Sequence, residues 1–363
     1  MYVKELQLVN YRNYSNFSVT IHEGLNFIIG RNAAGKTNLL EALYFLENGK
    51  SHKTSTAREL IKWDEEFAIV KSTVQRLERE LLIEASIFKD GSKQLKVNGV
   101  ASKKEQMKAR PIITVIFTPD HLRIVKEMPE TRRAYLDEIL EKTGPGYSYW
   151  RQQYSKILKQ RNMLLKKVFV GRMKADVIDY WDKQLVGAGS RITIARRDII
   201  YKLEERADRA YKNITESDVN FSLIYENQLL KEGIKDGETE EHYLSLLKEK
   251  RKAEIERGQT LVGPHRDDVG IFAAGIDLRT FGSQGEQRSA SLALKMAELS
   301  IITELTRDYP VLLLDDVMSE LDRARREALL KHINDGVQVI VTSTNVEYLK
   351  EMDIDASNII KIG

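Results

Sequence analysis

The sequence predicts an α/β fold in which a P-loop lobe is interrupted by a predominantly helical inserted second domain. Three observations predict it. Residues Gly30 to Thr37 read GRNAAGKT, a G-x-x-x-x-G-K-T loop between an apolar strand and a helix. From about Glu130 to Arg257 the apolar residues recur at helical spacing. Beyond that stretch, alternating strand and helix patterns return, which marks one discontinuous domain. A chain of 363 residues also exceeds what a single core usually serves. The expected divisions are 1–125 for the first part of the α/β lobe, 126–257 for the helical arm domain and 258–363 for the second part.

Each element rests on its own periodicity. Leu6 and Leu8 alternate with Gln7 and Asn10, Phe17, Val19 and Ile21 follow, and Leu25 to Ile29 is a continuous apolar run. These are three strands feeding the Gly30 loop. Leu39, Leu40, Leu43 and Leu46 recur at helical spacing, so the loop opens a helix from Lys36 to Asn48. From Phe67 to Val100, β-rich runs around the turn Lys89-Asp90-Gly91-Ser92 predict an antiparallel meander, and Ile112 to Phe117 a further buried strand. Four helical stripes follow, marked by Tyr135 to Leu140, Trp150 to Val168, Ile178 to Leu185 and Ile192 to Leu203. A short strand at Val219 to Tyr225 interrupts them. The last third predicts a hairpin at Val269 to Leu278, a loop at Phe281 to Gly285 and a long helix from Glu286 to Leu305. It continues with a strand at Val311 to Leu314, a helix from Asp322 to Ile333, a strand from Val337 to Val341 and a short helix near Asn345.

Composition removes several function classes. There are no cysteines and the six histidines lack metal-ligand spacing, which excludes thiol chemistry and thiolate sites and directs any metal toward oxygen ligands. Charged residues make up 31% of the chain and no apolar run approaches the roughly 20 residues that cross a bilayer. The start, MYVKELQLVNYRNY, has no signal-peptide core, so a cytoplasmic protein is expected. A net charge of +3 is too small to indicate a nucleic-acid partner by itself.

Three motifs carry chemistry. In the first, Gly30 and Gly35 let the backbone turn so that the N–H groups of Arg31, Asn32, Ala33, Ala34 and Asn38 and their neighbours face phosphates. Lys36 reaches the β- and γ-phosphates of ATP, and the Thr37 hydroxyl ligates Mg²⁺. In the second, Val311 to Asp316 (VLLLDD) is a buried strand delivering two carboxylates at its C-terminal end, where ligands bind in open parallel sheets. Asp315 is the expected Mg²⁺ partner and Asp316 the expected base for an attacking water. In the third, Ser283-Gln284-Gly285-Glu286 opens an amphipathic helix. Ser283 and Glu286 fit a capping box, and such a helix start also suits phosphate.

In this order the P-loop, the S-x-G-E segment, the hhhhDD strand and the Ser319-Glu320-Leu321-Asp322 loop resemble the ABC-type ATPases, in their SMC and Rad50-like branch. Within that branch LQLVNYRNY, Lys50-Ser51-His52, FTPDHLRIVK, ETRRAYLD, LVGPHRDD, FGSQGEQRS and LLLDDVMSELD are similar over the whole length to the RecF family. The resemblance implies an ABC/SMC-type ATPase head that binds ATP and Mg²⁺ and dimerises head to tail. Ser283, Gln284 and Gly285 of one copy would then complete the ATP site at Lys36 of another. It also implies weak, DNA-dependent ATP hydrolysis, binding to double-stranded and gapped DNA, and work with RecR and RecO in loading RecA for DNA repair and replication. Arg12 is read as a contact to nucleotide, ahead of a solvated loop arginine by a narrow margin. Asp316 stands where the wider superfamily has Glu, and Thr344 is the candidate replacement for a missing switch histidine. Two alternatives stay open: a nucleotide-gated DNA clamp with incidental hydrolysis, and an ATPase subunit of another assembly.

Four basic groups are candidates for phosphate contacts, each also readable as a solvated helix face. They are Lys103, Lys104, Lys108 and Arg110; Arg132 and Arg133; Lys156, Lys159, Arg161, Lys166 and Lys167; and Arg191, Arg196 and Arg197.

Overall fold

The computed structural model describes residues 1–102, 110–231, 233–331, 336–344 and 358–362. The chain runs β1 (Tyr2–Tyr11), β2 (Tyr14–Thr20), β3 (Leu25–Ile29), α1 (Lys36–Asn48), β4 (Phe67–Arg76), β5 (Arg79–Phe88), β6 (Lys93–Val97), β7 (Val100–Ser102) and β8 (Thr114–Phe117). It continues through α2 (Pro129–Thr143), α3 (Pro145–Phe169), α4 (Val177–Thr215), β9 (Phe221–Glu226), α5 (Thr239–Arg257), β10 (Asp268–Ala273) and β11 (Ile276–Asp277). Then come α6 (Gln284–Thr306), β12 (Val311–Asp315), α7 (Arg323–Lys331), β13 (Val339–Ser343) and β14 (Ile359–Lys361).

Two compact units result. The first comprises Met1–Arg123, Asn213–Thr215 and Ser291–Gly363. It holds an antiparallel sheet of order β2-β1-β4-β5-β6-β7 and a parallel sheet of order β14-β3-β13-β12-β8. Helix α1 packs between them, touching β4 and β5 of one and β8, β12 and β13 of the other. Its burial follows from that position: Leu39, Leu40, Leu43 and Leu46 lie in one core with Leu6, Leu8 and Val70 from one sheet and Ile116, Leu313 and Ile340 from the other. Leu40 is fully buried, which stabilises the unit by about 2 kcal/mol relative to an exposed leucine. Strands β8, β12 and β13 are buried along their whole length, as strands of a parallel sheet covered on both faces are. The buried Gln338 ties the sheets together, accepting from Val3 N–H at 2.7 Å and donating to Val3 O at 2.8 Å.

The second unit comprises Ile124–Lys212 and Glu216–Ala290. Helices α2, α3, α4 and α5 dominate it, with the three-stranded antiparallel sheet β11-β10-β9. The third and fourth stripes predicted from sequence prove to be one helix, the 39-residue α4, which runs through Gly187 and Gly189. Gly189 is required there by packing, not by a turn: a Cβ would stand 2.7 Å from the Tyr243 ring. Helix α5 and the three-residue β14 have no strong periodicity and were not expected. The predicted helix near Asn345 and Ile333 at the end of another lie outside the described residues, as do Lys103, Lys104 and Lys108. Among the described residues no helix is long and apolar enough to cross a membrane.

Candidate functional site

The glycine loop is shaped by two steric demands. At Gly30 a Cβ would meet the Ile362 carbonyl oxygen at 2.3 Å. Gly35 has φ +105°, and a Cβ there would stand 2.6 Å from Asn13 Nδ2. With Ala33 also left-handed at φ 63°, the backbone alternates in the manner of an anion-binding nest. Arg31, Asn32 and Ala33 are exposed at the rim, and Ala34 is held from below by Asn13, which donates to its carbonyl at 3.1 Å and accepts from Asn38 Nδ2 at 2.8 Å. No side chain caps the N-terminus of α1, so its partial positive charge faces the loop. Lys36 is buried and its ammonium donates to the carbonyls of Gly30 at 2.8 Å and Arg31 at 3.0 Å.

The two carboxylates arrive from β12. Strand pairing sets Asp315 directly opposite Thr342 on β13, and the loop-helix junction adds Thr37. Asp315 Oδ1 accepts the Thr37 hydroxyl at 2.7 Å and the Thr342 hydroxyl at 2.9 Å. Asp316 follows in the left-handed region (φ 54°), with its N–H donating to Thr342 Oγ1 at 2.9 Å and its carbonyl accepting from Ser319 Oγ at 2.7 Å. Its Oδ1 is a buried acceptor with no hydrogen-bond partner among the described residues. Burial pushes the Asp316 carboxyl above its ordinary range; Lys36 opposes this, and Asp315 and Glu320 reinforce it. A carboxylate so raised is a stronger base toward water. Thr344 is exposed just beyond β13, and makes none of these contacts.

Phosphate and a hard cation fit these residues. The nest and Lys36 suit a polyphosphate, and an oxygen pair from Thr37 and Asp315 suits Mg²⁺, which keeps few protein ligands and takes the rest from phosphates and water. Among the described residues no cluster of three or more acidic or histidine side chains could hold a metal by itself.

Arg12 is engaged elsewhere in this structure. Its Nε and Nη2 donate to the two oxygens of fully buried Glu41, at 2.8 and 2.6 Å, and Nη1 to the Glu59 carbonyl at 3.0 Å. Ser51 also donates to Glu41. Burial alone would raise the Glu41 carboxyl; Arg12 and Ser51 outweigh it and hold it below the usual range. Arg12 is therefore no freely solvated loop arginine, and it braces the turn that carries Asn13.

In the second unit, Ser283, Gln284 and Gly285 form the start of α6. Ser283 closes the capping box read from the sequence: its N–H and its hydroxyl each donate to Glu286 Oε2 at 2.8 Å. The following Gln287 is buried, and its amide donates to Leu278 O at 2.8 Å and Gly282 O at 3.0 Å, fixing the loop before the helix.

The basic groups divide by burial. Arg132, Arg161 and Arg196 are 3%, 0% and 5% exposed, which removes them as phosphate contacts. Arg132 makes a bidentate pair with Asp268, both bonds 2.7 Å, and Arg196 pairs with Asp137. Arg133 donates to the Asp267 carbonyl at 2.6 Å, Arg197 pairs with Asp236 and Asp198, and Arg110 pairs with Glu47 at 2.9 Å. Lys156, Lys159, Lys166 and Lys167 are exposed, as is Arg191, which lies 4.4 Å over the Trp150 ring. The LVGPHRDD stretch organises this interior. His265 Nε2 faces the Thr260 carbonyl at 3.0 Å, which only an N–H satisfies, so Nδ1 accepts from the Tyr154 hydroxyl at 2.6 Å. Burial lowers the His265 pKa to about 4 and raises that of Asp267 to about 6.

Comparison with known proteins decides the family. The sequence profile of the RecF/RecN/SMC N terminal domain matches residues 2–362. DNA replication and repair protein RecF of Clostridium tetani is 40% identical over 362 residues, spanning 100% of this chain and 98% of that protein. The chain belongs to the RecF family. The RecF of Bacillus cereus is likewise 40% identical over 350 residues, 96% of this chain and 93% of the relative. A solved structure of the recombination mediator RecF with ATP, from the RecFOR pathway, superposes with TM-score 0.91 at 36% identity, covering 99% of this chain and 95% of that one. An Smc head bound to a ScpA domain superposes at TM-score 0.57 and 18% identity, which shows a shared head fold. The RecF-family chain is thus an α/β ABC/SMC-type head, as the motifs predicted.

Sequence reasoning missed Thr342 and Glu41. Thr342 gives no signal until β13 is known to pair in register with β12. Glu41 could have been found: a glutamate on the buried face of an apolar helix needs a cation, and the adjacent turn supplies Arg12.

Proposed function

We propose that the chain is an ATP-driven clamp of recombinational DNA repair: ATP and Mg²⁺ join two copies head to tail on double-stranded or gapped DNA, and slow, DNA-stimulated hydrolysis releases them. The observation that carries this reading is the 2.7 Å bond from Thr37 to Asp315. It unites the phosphate loop with the carboxylate pair, although the two motifs lie at opposite ends of the sequence.

Each residue has a task. The backbone of Gly30 to Thr37 and the α1 N-terminus receive the phosphates, with Lys36 adding its charge. Thr37 and Asp315 would hold Mg²⁺, which would neutralise phosphate charge. Asp316 orients water and takes its proton. Ser283, Gln284 and Gly285 of the partner subunit would donate to the γ-phosphate, so the complete site needs two copies. Partnership with RecR and RecO and the loading of RecA are carried over from the family. The RecF-ATP structure of the RecFOR pathway supports the RecR and RecO partnership, as it supports ATP binding here. The exposed lysines of α3 and the exposed Arg191 of α4 remain candidates for DNA phosphates in this unit.

Replacing Lys36 by Ala tests the pocket. Loss of a charge-assisted contact worth about 1.5–3 kcal/mol weakens ATP binding by about ten- to a hundredfold or more, measured with a fluorescent ATP analogue. Unchanged affinity would contradict the assignment.

A further inference from the structure

We infer that Thr342 is a positioning residue of the hydrolytic centre, its single hydroxyl setting the geometry of both carboxylates; the inference rests on the hydrolytic reading above. Thr342 Oγ1 has one proton and two lone pairs. The proton goes to Asp315 Oδ1 at 2.9 Å, and a lone pair accepts the Asp316 N–H at 2.9 Å. One side chain on β13 thereby holds two consecutive residues of β12 and the turn after it.

The second bond matters most, because Asp316 is strained. Its φ of 54° lies in the left-handed region, which costs an L residue energy, though Asp less than most, so the local bonds help hold it there. Two hydroxyls supply these bonds: Thr342 fixes the peptide before the Asp316 side chain and Ser319 Oγ, bound to the Asp316 carbonyl at 2.7 Å, fixes the peptide after it. Between these pins the carboxylate keeps one direction, with Oδ1 buried and available as an acceptor. Without Thr342 Oγ1, the N–H loses its acceptor and the turn can relax toward an ordinary conformation, swinging the carboxylate away. The first bond ties the same residue to the Thr37–Asp315 pair, so base and metal-binding oxygens share one anchor. Ser319 begins the Ser319-Glu320-Leu321-Asp322 loop, so its bond connects that loop to the same base.

The test is steady-state hydrolysis with DNA present, alongside equilibrium ATP binding, for wild type, Thr342→Val and Thr342→Ser. Valine keeps the shape and loses the hydroxyl; serine keeps the hydroxyl and loses a methyl. A misplaced base lowers kcat of the Val variant by about a hundredfold. Its ATP dissociation constant stays within about threefold of wild type, because the loop and Lys36 are untouched. The Ser variant retains wild-type kcat within about threefold, which a merely space-filling role for Thr342 would not produce. The inference is overturned if Val turns over like wild type, if Ser is as slow as Val, or if Val no longer binds ATP. Wild-type protein that binds ATP without any turnover would instead overturn the hydrolytic reading, and this inference with it.

Discussion

Asp316→Asn lowers DNA-stimulated ATP turnover by about a hundred- to ten-thousandfold while ATP still joins two copies of the chain. The size follows from removing a general base. Asparagine is nearly isosteric and tolerates the left-handed backbone at φ 54° as well as aspartate does, so the bonds to Thr342 and Ser319 survive. It also removes a charge that burial, Asp315 and Glu320 disfavour and Lys36 favours. Single-turnover hydrolysis measured beside sedimentation separates the two effects. This variant also distinguishes the two mechanisms the sequence left open. A clamp for which hydrolysis is incidental keeps working in repair with Asp316→Asn; an obligatory cycle leaves dimers trapped on DNA and repair failing. Turnover within about twofold of wild type would show that Asp316 is not the base.

Arg161→Ala destabilises the second unit by about 3–5 kcal/mol. All three partners of the guanidinium are interior: Nε donates to Asp182 at 2.7 Å, Nη1 to the Thr260 hydroxyl at 2.8 Å and Nη2 to Glu254 at 2.6 Å, with the Arg161, Asp182 and Glu254 side chains fully buried. Among the described residues, removal of the cation leaves Glu254 without a charged partner and Asp182 with Arg251 only, in a setting where water cannot compensate. Denaturant unfolding followed by tryptophan fluorescence reads the loss, since Trp150 and Trp181 both lie in this unit. A cost below about 1 kcal/mol, the range of an exposed ion pair, would contradict the burial. Replacing the arginine and both carboxylates together with apolar residues of similar volume is expected to restore most of the stability.

Much of the fold was legible because its signals are local. The GRNAAGKT loop, the apolar run before it and the helical spacing after it specify strand, turn and helix without outside help. The all-apolar Val311 to Leu314 specifies a strand covered on both faces in the same way. What sequence withheld depends on long-range pairing. Arg161 and Lys166 look alike in a basic run, yet one is sealed against Asp182 and Glu254 and the other is exposed; periodicity gives no information on partners so far along the chain. Gly187 and Gly189 separate two apolar stripes that α4 joins, because the approach of the Tyr243 ring is a tertiary fact. In the site, Lys36, Thr37, Asp315 and Asp316 could be named from motifs. Thr342 could not, since its role comes from the register of β13 on β12.

On this reading the pocket at Lys36 is half a site, completed by Ser283 of the partner subunit. Sedimentation velocity of the purified chain on gapped DNA, with and without ATP and Mg²⁺, tests it most directly, with Ser283→Arg as the comparison. The wild type is expected to dimerise with ATP and not without nucleotide, and Ser283→Arg not to dimerise even though it still binds ATP. A wild-type chain that stays monomeric with ATP, Mg²⁺ and DNA all present, or a Ser283→Arg chain that dimerises as well as wild type, would contradict it.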